Sequence, residues 1–120
     1  MNPGTIAFAV GAVALIALYV FSGIKKSKTQ ARIKELLQQG AIVLDVRSRS
    51  EYNSGAFSGA RNTPLDAISK GIKGISKDSN IIVYCASGAR SASAAQILKS
   101  QGYVSVLDAG PLSRLTALQD

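Results

Sequence analysis

A chain of 120 residues holds one domain and an appendage, and three prolines with a single cysteine exclude a disulfide scaffold and a low-complexity chain. It has no histidine, which excludes a Cys–His pair, histidine general-base catalysis and a His-ligated metal, and one cysteine leaves little for zinc. The net charge of +7 is uneven: Lys25 to Glu35 holds five basic residues and one acid, against nine and six from Gly40 onward, so a nucleic-acid face is not implied.

Residues 1 to 24 carry no charged side chain, and Ile6 to Ile24 is apolar except for Gly11, Tyr19, Ser22 and Gly23. As a helix over about 5–24 it spans about 28 Å, close to the hydrocarbon thickness of a bilayer. It is apolar on every face, with Tyr19 and Phe21 near one interface. Positive charge follows the run instead of preceding it, unlike a cleavable signal peptide. The expectation is a single-pass membrane anchor with its basic flank, residues 1–28, and a soluble domain over 29–120. Lys25, Lys26 and Lys28 place the C-terminal domain on the cytoplasmic side by the positive-inside rule. This cluster reads as a stop-transfer flank, with fewer basic residues than an anionic-lipid site.

From Thr29 to Gln39 the pattern turns amphipathic, with Ile33, Leu36 and Leu37 on one face and Gly40 as the stop. Ala41 to Leu44 reads as a strand buried on both faces, ending in Asp45-Val46-Arg47. Ser50-Glu51-Tyr52 starts a helical turn before Gly55, and Ala60-Arg61-Asn62 forms a short strand. Leu65 to Ile75 shows helical spacing weakened by Gly71 and Gly74. Lys77 to Asn80 is a turn.

Ile81-Ile82-Val83-Tyr84 is a strong β run that delivers the only cysteine, Cys85, to the head of a small-residue loop and a helix. A cysteine there sits among outward-pointing N–H groups at the positive end of the helix dipole. Both favour the thiolate, and the same surroundings suit an anionic substrate or a persulfide. Taken alone, a free cysteine also suits a small buried hydrophobe. Ser91 to Gln101 is a helix, Tyr103 to Leu107 a strand, Asp108 to Pro111 a loop and Leu112 to Leu118 a last helix. Alternating strands and helices predict an α/β domain with a mainly parallel sheet, whose ligands bind beyond the carboxyl ends of the strands. Asp45 and Cys85 both fall at such ends.

Four segments resemble the rhodanese (sulfurtransferase) family: Leu44-Asp45-Val46-Arg47; Glu51-Tyr52 with Gly55; Gly59-Ala60-Arg61-Asn62-Thr63-Pro64-Leu65; and Cys85-Ala86-Ser87-Gly88-Ala89-Arg90-Ser91 after its strand. The resemblance covers about Thr29 to Leu115. It implies a rhodanese-like parallel sheet flanked by helices, preceded by one transmembrane helix. It also implies a thiosulfate-type sulfurtransferase, without cofactor or metal, in which Cys85 takes sulfur from a small anionic donor and passes it to cyanide, a thiol or a protein sulfur acceptor. Ala86, Ser87, Gly88, Ala89 and Arg90 would bind the substrate, with Gly88 at positive φ turning neighbouring amides inward. The other loop residues are small, so nothing bulky would cap the sulfur. Arg90 reads either as an anion clamp or as a tie to a neighbouring carboxylate. Ser87 would add a hydroxyl to the sulfur, Ser91 would cap the helix, and Asp45, Arg47 and Glu51 would brace the loops through exposed ion pairs.

The chain departs from the family pattern at Gly55-Ala56-Phe57, where Gly-His-Ile is usual, and at Ala109-Gly110, where Gly-Gly and a nearby Trp are usual. Ala86 and Ser87 are uncharged, where thiosulfate-preferring members often carry a base; this leaves mercaptopyruvate and protein or glutathione persulfides as further donors. Two other functions compete. A cysteine-dependent phosphatase or arsenate reductase has a loop one residue longer than the four between Cys85 and Arg90. A non-catalytic, membrane-tethered binding module of the same fold generally lacks the cysteine.

Overall fold

The computed structural model describes residues 3–119; the side chains of 3–9 and 24–27 lie outside it, among them Lys25 and Lys26 of the basic flank. The chain divides into two units, Met1–Ala31 and Arg32–Asp120. One helix, α1 (Pro3–Gln38), takes in both the apolar run and the amphipathic segment that the pattern change had suggested as separate helices. No glycine or proline falls between Ile24 and Gln39, so nothing there breaks the ladder. Gly40 ends it at φ +81, with Gly40 N–H on Leu37 O (3.1 Å) and Ala41 N–H on Leu36 O (3.0 Å). Within Val10–Gln38 an apolar window has mean hydropathy 1.4 and none of it is buried, making this a helix long and apolar enough to cross a membrane.

The second unit is an α/β domain. After α1 come β1 (Ile42–Asp45), α2 (Arg49–Ser54), β2 (Arg61–Asn62), α3 (Leu65–Ser69), β3 (Asn80–Cys85), α4 (Ala89–Ser100), β4 (Ser105–Pro111) and α5 (Leu112–Thr116). The four strands form a parallel sheet in the order β2-β1-β3-β4. Ile81 to Cys85 of β3 are all buried, as a central strand covered on both faces requires.

Strand alternation sorts the core into two layers. Leu44, Val46, Ile81, Val83 and Cys85 pack with Ile68 of α3 and Ala94, Ala95 and Leu98 of α4. Val43, Ile82 and Tyr84 point the other way, onto Ile33, Leu36, Phe57 and Leu115. Cys85 and Tyr84, neighbours in sequence, therefore belong to opposite faces.

Among the boundaries that differ from the sequence reading, three stand out. The helix expected to reach Ile75 stops at Ser69, because Gly71 and Gly74 adopt φ of +94 and +77. The segment Asp108–Pro111, expected as a loop, continues β4. The register passes from Val83↔Asp108 to Tyr84↔Gly110, and the extra residue, Ala109, forms a bulge. Gly110 N–H donates to Asp108 Oδ1 (2.8 Å) and pairing resumes to Cys85↔Pro111. Finally, α4 begins at Ala89, two residues before Ser91.

Candidate active site

Cys85 is the last residue of β3, at the carboxyl edge of the sheet, and is fully buried. The chain then turns through Gly88, whose φ of +107 lets its N–H point back at the sulfur, 2.9 Å from Sγ. Gly88 occupies the N-cap position of α4, so Sγ lies at the N-terminus of a twelve-residue helix. The residues of the loop next to the sulfur are small: Ala86, Ser87 and Ala89 lie exposed, while Cys85 itself is buried.

Ser91 departs from expectation. It is the third residue of α4, buried, and is no N-cap; its hydroxyl donates to Gly88 O (3.0 Å) and lies 3.5 Å from Sγ. The hydroxyl beside the sulfur therefore comes from Ser91, and Ser87 contributes its amide. A hydroxyl has one proton and two lone pairs, so Ser91 accepts from the thiol and, by rotating, donates to the thiolate. Burial pushes the Cys85 thiol up, but the Ser91 hydroxyl and the amides of Ser91, Gly88 and Ser87 outweigh it. The thiol ends below its ordinary value.

Arg90, on the first turn of α4, is bound bidentately to Glu51 of α2, Nη1 to Oε1 at 2.7 Å and Nη2 to Oε2 at 3.0 Å. Of the two readings of Arg90, the tie to a carboxylate is present. Glu51 is oriented by a capping box: Ser48 N–H and hydroxyl donate to Oε1 (3.2 and 3.0 Å), and Glu51 N–H donates to Ser48 Oγ (3.2 Å). The Arg90 hydrogen bond, then Ser48 N–H, hold the Glu51 carboxyl down at about 2.

Asp45 and Arg47 do not join the cysteine. Asp45 lies wholly buried at the end of β1 and accepts from Arg47 Nε (3.0 Å) and Nη2 (2.7 Å). It also accepts the Arg47 amide (2.9 Å) and the Tyr84 hydroxyl (2.7 Å). Arg47 Nη2 continues to Gly55 O (2.7 Å), and Phe57 N–H donates to Tyr84 Oη (3.0 Å). Burial first, then the Asp45 hydrogen bond, push the Tyr84 hydroxyl up to about 12. The exposed bracing expected for Asp45 and Arg47 is therefore a buried ion pair, because Val43-to-Val46 carries the carboxylate into the sheet before the chain turns. It fixes the β1–α2 connection on the sheet face opposite Sγ.

Sequence reasoning passed over Tyr84. A hydroxyl inside an aliphatic run needs a buried partner, and that was the available signal. Among the described residues, no group of three or more His, Cys, Asp or Glu is placed to hold a metal. The arrangement offers a nucleophilic sulfur inside a ring of amides, suited to stabilising negative charge on that sulfur and on one atom attached to it.

Gly88 is the pivot of this ring. An added Cβ would sit 3.7 Å from Gly110 Cα and 3.9 Å from Pro111 Cδ, ordinary contact distances, so the obstacle to a side chain is the positive φ. Gly88→Ala is expected to destabilise by about 1–3 kcal/mol, or to relax by turning its N–H off Sγ. Thiol titration and a urea melt check this: the thiol pKa should rise toward its ordinary value as the N–H leaves the sulfur.

The Rhodanese-like domain family matches residues 29–111. Among curated proteins, the chain is similar to the uncharacterized protein YqhL of Bacillus subtilis, 33% identical over 98 residues, which cover 81% of this chain and 77% of YqhL. It is 39% identical over 77 residues to the thiosulfate sulfurtransferase GlpE of Pseudomonas fluorescens, covering 62% of this chain and 71% of GlpE. Among solved structures, a rhodanese with anions from E. coli superposes with a TM-score of 0.56 at 31% identity, covering 62% of this chain and 89% of that one. With the family matched over most of the globular unit, and the parallel sheet and cysteine loop in place, the chain belongs to the Rhodanese-like domain family.

Proposed function

We propose that this chain is a membrane-anchored sulfurtransferase that carries sulfur as a persulfide on Cys85. The observation that carries the reading is the Gly88 N–H, 2.9 Å from the sulfur of the only cysteine, at the carboxyl edge of the sheet. The thiosulfate sulfurtransferase name of the Pseudomonas fluorescens relative supports it.

In the first half-reaction, the Cys85 thiolate bonds to the outer sulfur of thiosulfate. The donor's S–S bond breaks and sulfite leaves with its electron pair, so the persulfide anion remains. In the second, cyanide or a thiolate bonds to the terminal sulfur, and the electron pair of the Cys85 S–S bond returns to Sγ. No cofactor or proton transfer is required with cyanide as acceptor. Amides of Ser87, Gly88 and Ser91 hold the charge on sulfur throughout, preorganised by the loop. Ala86, Ser87 and Ala89, small and exposed, form the rim past which the donor enters. Arg90 holds the loop to α2, while Asp45 and Arg47 fix the β1–α2 connection on the opposite face of the sheet. Intact mass after incubation with thiosulfate tests the reading: one added sulfur on the wild-type chain supports it, and an unmodified chain refutes it.

The unburied apolar part of α1 supports the anchor, with the domain from residue 29 facing the cytoplasm and membrane lipid as the helix's surroundings. A reporter fused after Asp120 is expected to be active in the cytoplasm; activity on the opposite side would reverse the assignment.

A further inference from the structure

Arg90 is the only charged side chain in the loop from Cys85 to Ser91. Both its terminal nitrogens are given to Glu51, whose carboxylate is itself fixed by Ser48 through N–H and hydroxyl. The pair is half-exposed, with side-chain exposures of 38% and 36%, so it lies at the solvent side of the site instead of beneath it. Glu51 is ionised at any working pH. After the Glu51 hydrogen bond and charge, the Cys85 thiolate also helps to raise Arg90, so the guanidinium is within electrostatic reach of the sulfur. Arg47, whose charge also reaches Arg90, is paired with Asp45 and Gly55 O. Within the loop, then, the one formal positive charge is matched by Glu51, and the amides and helix dipole add their own attraction for an anion.

Resting on the sulfurtransferase reading, we propose that Glu51 is a specificity-determining residue: by neutralising Arg90 it weakens the hold on a small dianion such as thiosulfate and favours sulfane sulfur on a carbon-based donor of lower charge. Coulomb energy scales with the donor's charge, so Glu51 opposes a dianion twice as strongly as a monoanion.

Glu51→Gln isolates the charge. Glutamine serves the same capping-box position and can still accept a hydrogen bond from Arg90. The test measures KM for thiosulfate and for benzenethiosulfonate, a monoanion, with cyanide as acceptor and the full chain in detergent. In Glu51→Gln, KM for thiosulfate is expected to fall about tenfold and KM for benzenethiosulfonate about threefold, with both gains shrinking at high salt. Glu51→Asp, which keeps the charge, should retain the wild-type ratio of the two KM values. Ser48→Ala, which loosens α2 without changing charge, should also retain it. A Glu51→Gln thiosulfate KM that is unchanged or raised, or an equal shift for both donors, overturns the proposal. Failure of the wild-type chain to gain sulfur on Cys85 from either donor overturns the underlying reading instead.

Discussion

Cys85→Ser is expected to remove sulfur transfer altogether, a loss of at least about three orders of magnitude, while the fold persists. A serine oxygen in that position forms no persulfide, and with one cysteine in the chain no second thiol takes over. The fold should tolerate the change because the hydroxyl inherits the polar partners of the sulfur. Gly88 N–H, now 2.9 Å from Sγ, would donate to it, and Ser91 Oγ, at 3.5 Å, would accept from it. The urea unfolding free energy should stay within about 1 kcal/mol of wild type. Thiocyanate release and intact mass, read on the same sample, check both halves. Turnover persisting in the serine variant would detach Cys85 from the chemistry.

Asp45→Ala should be the most destabilising polar substitution, by about 3–5 kcal/mol in urea unfolding. The carboxylate has no exposure and accepts from the Arg47 guanidinium, the Arg47 amide and the Tyr84 hydroxyl. Removing it leaves a buried arginine without its counter-charge, Tyr84 without its acceptor and Arg47 with Gly55 O alone. Against a total stability of about 5–15 kcal/mol for a domain of this kind, that is a large share of the whole. Replacing both members, Asp45→Leu with Arg47→Met, should recover the part of the loss that comes from the orphaned charge, while the Tyr84 hydroxyl still lacks its acceptor. A deficit below about 1 kcal/mol in Asp45→Ala would mean that water reaches the pair and that it braces nothing.

Features carried by local pattern were readable in the chain. The β run ending at Cys85, the glycine three residues on and the small-residue helix behind it sufficed to place a thiol at the carboxyl edge of a parallel sheet. Long-range polar pairing was not readable: Tyr84 and Asp45 are 39 positions apart, and neither residue's neighbours announce the other. Ser91 was misread because a serine before an alanine-rich segment satisfies the N-cap rule. Gly88, at positive φ, takes that position instead and draws Ser91 into the first turn, beside the sulfur. The same property of glycine misplaced two other boundaries. Gly71 and Gly74 end α3 early, whereas Gly110, with Asp108 and the bulge at Ala109, lets β4 run through what composition marks as a loop. Arg90 was ambiguous because its partner lies on another helix; once Glu51 is seen to take both nitrogens, the question becomes how much charge remains for a donor.

Main-chain amides bias a buried sulfur toward its thiolate, and the sole thiol makes its titration unambiguous. Following thiolate absorbance in the folded chain, the ionisation midpoint should lie below the ordinary cysteine value of about 8.5. The rate of sulfur uptake from thiosulfate should rise with pH through that same midpoint and then level off, because only the thiolate attacks. A midpoint at or above the ordinary value, with uptake still climbing beyond it, would mean that the amides do not hold the thiolate.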